Sequence, residues 1–263
     1  MYSAIEPKEA KVFAIVNQKG GVAKTTTAIN LASYLGSFGK QVLLIDLDPQ
    51  GNATSGVGLN KALLDETIYQ VLVDDLSMKQ AVCLTSEANV NIVPSSLDLA
   101  AAEMEMLNLI SRETRLKQAI KPLLPYYDVI FIDCPPSLGV LTINALTASN
   151  GVLIPVQSEY YALEGLGQLL KTIKLVENSL NPSLSIAGAI VTMYDVRTNL
   201  SKEVRDDLLQ YLGDKVFDAV IPRNVDLSEA PSFGKSIQHY APFCKGAEAY
   251  RALAEEFLKR LGG

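Results

Sequence analysis

Near the start of the chain two lysines, two glycines and three threonines fall within one short run, Asn17-Gln18-Lys19-Gly20-Gly21-Val22-Ala23-Lys24-Thr25-Thr26-Thr27. The run follows an apolar stretch and opens a helical pattern, a combination suited to holding phosphate. Successive backbone N–H groups in such a loop turn towards anionic oxygens, and the N-terminus of the following helix adds partial positive charge. Gly20 and Gly21 let the backbone turn and come close to a ligand. Lys24 would neutralise terminal phosphates, and the Thr25 hydroxyl is an oxygen ligand of the kind Mg²⁺ takes. The strict pattern G-x-x-x-x-G-K-[ST] is not met, because Gln18 and Ala23 stand at its glycine positions. The competing reading is a glycine-rich strand-to-helix turn that binds nothing.

Two further motifs weigh against that reading. Leu43-Leu44-Ile45-Asp46-Leu47-Asp48-Pro49-Gln50-Gly51 ends an apolar run with two carboxylates. The carboxyl end of a parallel strand is where α/β sheets bind ligands. An Asp-Pro turn is the plain alternative, but it leaves two acids directly after a buried strand unexplained. Val129-Ile130-Phe131-Ile132-Asp133-Cys134-Pro135-Pro136 places a third acid after an apolar strand. There Asp133 could hold Mg²⁺ through water. Phosphoryl transfer needs mainly positioning and charge neutralisation, for which Lys24, Thr25, Asp48, Asp133 and Mg²⁺ suffice.

These groups need a scaffold, and the apolar pattern supplies one. Val12–Val16, Gln41–Ile45, Val90–Val93, Tyr127–Ile132, Val152–Val156, Ile186–Met193 and Val216–Ile221 are short, rich in Val and Ile, and apolar nearly throughout. They read as strands covered on both faces, as in a parallel sheet. Helical patterns lie between them: Thr25–Phe38, Leu163–Asn178 with Leu163, Leu166, Leu170 and Ile173 on one face, and a final stripe of Tyr250, Leu253, Phe257 and Leu261. Lys259 and Arg260 close that last helix with the sign its dipole favours. Strands alternating with helices predict an α/β three-layer sandwich with a mostly parallel central sheet. No linker or repeat interrupts it, so residues 10–263 are expected to form one domain, preceded by a loose tail, Met1–Glu9.

With 48% hydrophobic residues the chain can bury a sizeable core, and no apolar run reaches the length of a membrane span. Met1–Lys11 lacks the pattern of a secretory signal, so a cytoplasmic location is expected. Cys83, Cys134 and Cys244 form neither a disulfide framework nor a metal pattern, and His239 is the single histidine. Cys134, at the end of an apolar run, reads as a buried inert thiol rather than a nucleophile paired with His239. The net charge of −6 gives no general affinity for nucleic acid, so any DNA contact needs a local patch.

The set Lys19, Gly20, Gly21, Lys24, Thr25 resembles the deviant Walker A loop of the ParA/MinD ATPases. Asp46–Thr54 resembles the family's Walker A′ region, and Val129–Asp133 its Walker B strand. Leu141–Leu146, Pro155–Gly165, Ile221–Val225 and Ser228–Lys235 look like chromosomal ParA proteins of the Soj type, so the likeness runs from about Lys11 to Leu261. It implies a P-loop NTPase fold, ATP and Mg²⁺ as cofactors, and hydrolysis that stays slow until a ParB-type protein stimulates it. It further implies an ATP-sandwich homodimer that binds DNA without sequence preference, at the nucleoid and not at a membrane. In that family Lys19 reaches the partner's nucleotide. Asp48 orients or activates the attacking water, and Asp46 supports the metal shell with Thr25 and Asp133. The nucleotide lies on Lys19, Gly20, Gly21, Val22, Ala23, Lys24, Thr25 and Thr26, with adenine against Met193, Pro222, Arg223 and Asn224.

Two departures stand out. Ala23 replaces the usual glycine before the P-loop lysine, a cost of about 1 kcal/mol if the position needs positive φ. Asp226 stands where relatives carry a basic residue. Arg197 matches a DNA-contacting arginine of the family, and Lys202, Arg205 and Lys235 are further candidates. Rival readings are a membrane- or cargo-positioning relative of the MinD kind, a scaffold that has lost nucleotide through Ala23, and a reductase resembling nitrogenase iron protein. The first needs a membrane-binding last helix, whereas the final stripe reads as core-packed and the chain stops at Gly263 without a basic tail. The third needs cluster-ligating cysteines that the scattered Cys83, Cys134 and Cys244 do not supply.

Overall fold

Alternate residues along each central strand feed opposite faces of one sheet. Leu43 and Ile45 enter one hydrophobic cluster with Ile130 and Ile132, whereas Val42 and Leu44 enter a second with Val129 and Phe131. Burial on both faces is what parallel strands require. The computed structural model describes residues 9–159 and 162–262, with the side chains of residues 162–164 left aside. The expected tail therefore lies almost wholly outside the described residues, as do the side chains of Tyr160, Tyr161 and Leu163.

The sheet has seven strands: β1 (Lys11–Ile15), β2 (Val42–Asp46), β3 (Cys83–Leu84), β4 (Val90–Val93), β5 (Val129–Asp133), β6 (Gly151–Gln157) and β7 (Ser185–Thr192). Their order is β3-β4-β2-β5-β1-β6-β7, and only β3 runs antiparallel to its neighbour. The register sets Ile15 and Asp46 each opposite Asp133. The phosphate-type loop after β1 and the acids ending β2 and β5 thus emerge at one level of the sheet edge.

Helices Lys24–Ser37 and Lys245–Leu261 cover one face, and Val140–Ala148 and Ala162–Ser179 the other, giving the expected three layers. The final stripe is core-packed: Tyr250, Leu253 and Phe257 are buried, and the Phe257 ring sits 5.0 Å from Phe13 and 5.6 Å from Phe131. Each such side chain contributes about 1.5–3 kcal/mol by leaving water. Tyr250 also pairs its hydroxyl with Thr27 Oγ1 at 3.0 Å, locking the last helix to the first. Among the described residues no helix is long and apolar enough to cross a membrane.

Two expectations are corrected. Val216–Ile221 is not a strand; it meets β7 through the isolated Ala189–Val216 bridge and through Phe217 N and Ile221 N, which donate to Ala189 O (2.9 Å) and Val191 O (2.8 Å). The Glu256 carboxylate accepts hydrogen bonds from Asp218 N (3.1 Å) and Ala219 N (3.0 Å), so donors that a ladder would use turn to the last helix instead. Conversely, β3 was not foreseen. Two residues are too few to show a period, and Leu84 is exposed.

Candidate functional site

The loop after β1 is held from below. Asn17 donates to Pro155 O at 2.7 Å and accepts from Lys19 N at 3.0 Å, tying the loop to β6. Gly21 has φ +73, a left-handed conformation that glycine adopts without strain, and a Cβ at Gly20 or Gly21 would meet only open space. Ala23 ends the loop at φ 66 and ψ 32. The helix it precedes has no side-chain cap, so its first N–H groups stay available. The condition attached to Ala23 is therefore met: an L-residue occupies a left-handed position, at a cost of about 1 kcal/mol. Ala23→Gly is expected to tighten MgATP binding several-fold in calorimetry; equal affinity in both forms would show the methyl to be harmless.

Lys24 is buried, and its Nζ donates to Lys19 O at 3.1 Å. Burial pushes its ammonium below the ordinary value, while Asp133, Cys134 and Asp48 hold it up. Lys19 points elsewhere. Its Nζ lies 2.8 Å from Glu159 Oε2, and Arg223 approaches the other oxygen of that carboxylate at 3.8 Å.

The three acids differ in their surroundings. Asp46 is fully buried and accepts from Thr54 N and Thr54 Oγ1, both at 2.7 Å, and from Asp48 N at 3.2 Å. Burial raises its pKa to about 6 against those hydrogen bonds. Asp48 is nearly buried, accepts from Gln50 N at 2.9 Å and lines the cleft, so the Asp-Pro turn and the site carboxylate are one and the same group. Asp133 is fully buried with neither oxygen hydrogen-bonded among the described residues. Burial and the Asp46 charge push its pKa well up, opposed by Thr25 and Lys24. An orphaned buried carboxylate is costly, and a hydrated cation beside Thr25 is what would satisfy it.

The sign of the pH effect follows. Both acids have folded-state pKa values above their unfolded ones, so their contribution to stability is complete at low pH and is lost as pH rises through about 6 for Asp46. Ligand-free protein should melt on the order of a few °C higher at pH 5.5 than at pH 7. Asp133→Asn should shrink that difference to the part contributed by Asp46. A melting temperature that falls on acidification would contradict the assignment.

Lys24, Thr25, Thr26, Asp48, Gly20, Gly21, Ala23 and Met193 line one open cleft of about 700 Å³. Val22 is buried beside it, with its carbonyl accepting from Thr192. The cleft's other lining was not foreseen: Gln50, Asn52, Ser55, Pro136, Pro231 and Ser232. The segment Ser228–Lys235 is marked in the sequence only by its likeness to the family. Two of these linings meet through glycines. Gly58 (φ +90) and Gly234 (φ +63) are so close that a Cβ on Gly234 would lie 2.6 Å from Gly58 Cα. Pro222 and Arg223 line a neighbouring cleft of about 760 Å³ with Tyr194 and Asp195, so they share the end of β7 with Met193 but not its cleft. Asn224 caps the short helix Val225–Glu229 through Leu227 N at 3.0 Å and donates to Asp226.

Arg197 is exposed but doubly bonded to Asp195, at 2.9 and 2.7 Å. Lys202 is exposed on helix Asn199–Leu212, Arg205 on the same helix is half-buried, and Lys235 is exposed in a loop just before Ile237.

An AAA-domain family model matches residues 10–186. The chain is 55% identical to the sporulation initiation inhibitor protein Soj of Bacillus subtilis (strain 168) over 246 residues, 94% of this chain and 97% of that one. It is 50% identical to the chromosome partitioning protein ParA of Myxococcus xanthus (strain DK1622), over 95% of this chain and 88% of the relative. This chain belongs to the ParA family of P-loop ATPases. The ParA-type arrangement also extends to solved structures. The structure of cobyrinic acid a,c-diamide synthase from Mycobacterium smegmatis with bound ATP analog and magnesium superposes with TM-score 0.85 at 39% identity, covering 97% of this chain and 96% of that one. In this ParA-family chain the loop, the cleft and the three acids lie together at the edge formed by the ends of β1, β2 and β5.

Proposed function

We propose that this chain is an ATP-driven partitioning switch. It binds MgATP in the cleft at the start of helix Lys24–Ser37 and closes on it as a sandwich homodimer. It then holds DNA without sequence preference and resets when a ParB-type protein stimulates hydrolysis. One observation carries the nucleotide reading: the unpartnered Asp133 carboxylate buried beside Lys24 and Thr25. Thr25 and Asp133 would hold Mg²⁺, which neutralises charge across the phosphates. Lys24 gives up the Lys19 carbonyl for phosphate oxygens, and the first N–H groups of the helix do the same work without a charge. Asp48 orients the attacking water. Asp46, whose hydrogen bonds run to Thr54 and Asp48, fixes the loop that carries Asp48. Lys19 leaves Glu159 to reach the partner subunit's nucleotide. Met193 bounds the base, and Pro222, Arg223 and Asn224 complete its surroundings from the adjoining cleft.

Identity of 50–55% with Soj and ParA over nearly the whole chain outweighs the 39% shared with the diamide synthase, so partitioning is preferred to amide formation. The scaffold reading is disfavoured because Lys19, Lys24, Thr25, Asp48 and Asp133 are all in place. Membrane positioning of the MinD kind is disfavoured by the buried stripe of the last helix.

Retention on non-specific duplex DNA tests the switch. It should need ATP, be absent with ADP, and fall about 10²-fold or more between 50 and 200 mM salt, as contacts from Arg197, Lys202, Arg205 and Lys235 to phosphates would require. Retention that ignores nucleotide or salt would refute it.

A further inference from the structure

Residues 65–113 hold nine Asp and Glu against two Lys and Arg, whereas the rest of the chain holds 20 against 21. This one stretch therefore accounts for the net charge of −6. Part of that charge is gathered around Tyr69. Glu105 accepts from the Tyr69 hydroxyl at 2.8 Å, and Asp98 and Asp74 add to Glu105 in holding that hydroxyl's pKa up. All three acids are exposed. The nearby arginines are already engaged, Arg112 with Glu113 and Arg115 with Asp75.

Large apolar side chains lie exposed in the same stretch. Met104 is 70% accessible, Leu107 49% and Ile110 92%. Met104 and Leu107 are three residues apart along continuous helical turns, which places them on one face. Beside them runs a groove of about 380 Å³ whose lining includes Val71, Met78, Ile110 and Ala119, with Asp75 among them. Clustered exposed apolar surface marks a protein contact, and the surplus of carboxylate selects a partner of opposite sign. Anionic lipid or nucleic acid would be repelled here.

The geometry points to a docking surface for a cationic amphipathic helix of a partner protein. Its apolar face lies on Met104, Leu107 and Ile110, and its Lys or Arg side chains face Asp74, Asp98 and Glu105. None of these residues lines the nucleotide cleft, so the inference goes beyond the ATPase reading and does not depend on it.

The test is fluorescence anisotropy on nucleotide-free protein at about 0.1 M salt. The probe is a labelled five-turn peptide with Leu on one helical face and Lys on the other. Saturable binding is expected. It should weaken about tenfold or more in Asp74→Asn/Asp98→Asn/Glu105→Gln, and equally in Met104→Ser/Ile110→Ser. It should weaken less than about twofold in Glu203→Gln/Asp206→Asn/Asp207→Asn, an equal neutralisation on helix Asn199–Leu212. Equal weakening in both triple variants would reduce the surface to diffuse charge and overturn the proposal. A change in sedimentation mass of peptide-free Met104→Ser/Ile110→Ser would make the occupant a second copy of this chain and overturn it too. One check needs no variant: the same peptide with Glu in place of Lys must not bind, and equal binding overturns the proposal.

Discussion

Asp48→Ala should lower ATP turnover by at least about a hundredfold while the ATP-bound dimer accumulates. The reasoning rests on what the substitution leaves behind. Asp48 sits in the cleft on a loop that Asp46 and Thr54 hold from within, so truncating its carboxylate does not release the loop. Lys24, Thr25 and Asp133 stay in place to bind nucleotide. Binding and closure then proceed, and only the water loses its orienting group. Phosphate release and light scattering on the same samples separate the two effects. Turnover equal to the parent protein would remove Asp48 from catalysis. Absence of a dimer in both proteins would favour the scaffold reading.

Lys24→Gln should weaken ATP binding on the order of a hundredfold, equivalent to about 2.7 kcal/mol, with loss of ATP-dependent DNA retention. Lys24 is a buried cation among carboxylates, and the triphosphate adds negative charge in that same space. Glutamine removes the charge and, being one bond shorter, also loosens the contact with the Lys19 carbonyl, now 3.1 Å from Nζ. Isothermal calorimetry reads the change directly. An unchanged affinity would mean that the phosphates lie elsewhere.

Much of this site was legible because its chemistry is local. A strand, a glycine-rich turn and a helix start are contiguous, so Lys19–Thr26 could be read as one unit. Asp46 and Asp133 were legible for a related reason: each ends an apolar run, and parallel register then brings them level. The less legible parts depend on distant partners. Glu256 diverts Asp218 and Ala219 from the sheet across 38 and 37 residues, and no pattern within Val216–Ile221 announces it. Glu159 meets Lys19 across 140 residues. Pro231 and Ser232 reach the cleft through a fold-back of the chain, and their types carry no signature of a ligand. For Ala23 the sequence posed the question and the backbone angle answered it.

The meeting of Gly58 and Gly234 sets a limit on how the cleft adapts. The two segments touch main chain to main chain, with Ser55 on one side and Pro231 and Ser232 on the other lining the same opening. Side-chain rotation cannot change that spacing. The aperture at this margin is a fixed gauge, and a guest of different girth is accommodated only by displacing a whole loop. A methyl group on Gly234 would sit 2.6 Å from Gly58 Cα and act as a spacer that forces the two loops apart, whereas one on Gly58 would meet the Gly234 carbonyl oxygen at 3.1 Å and ask for only a small shift.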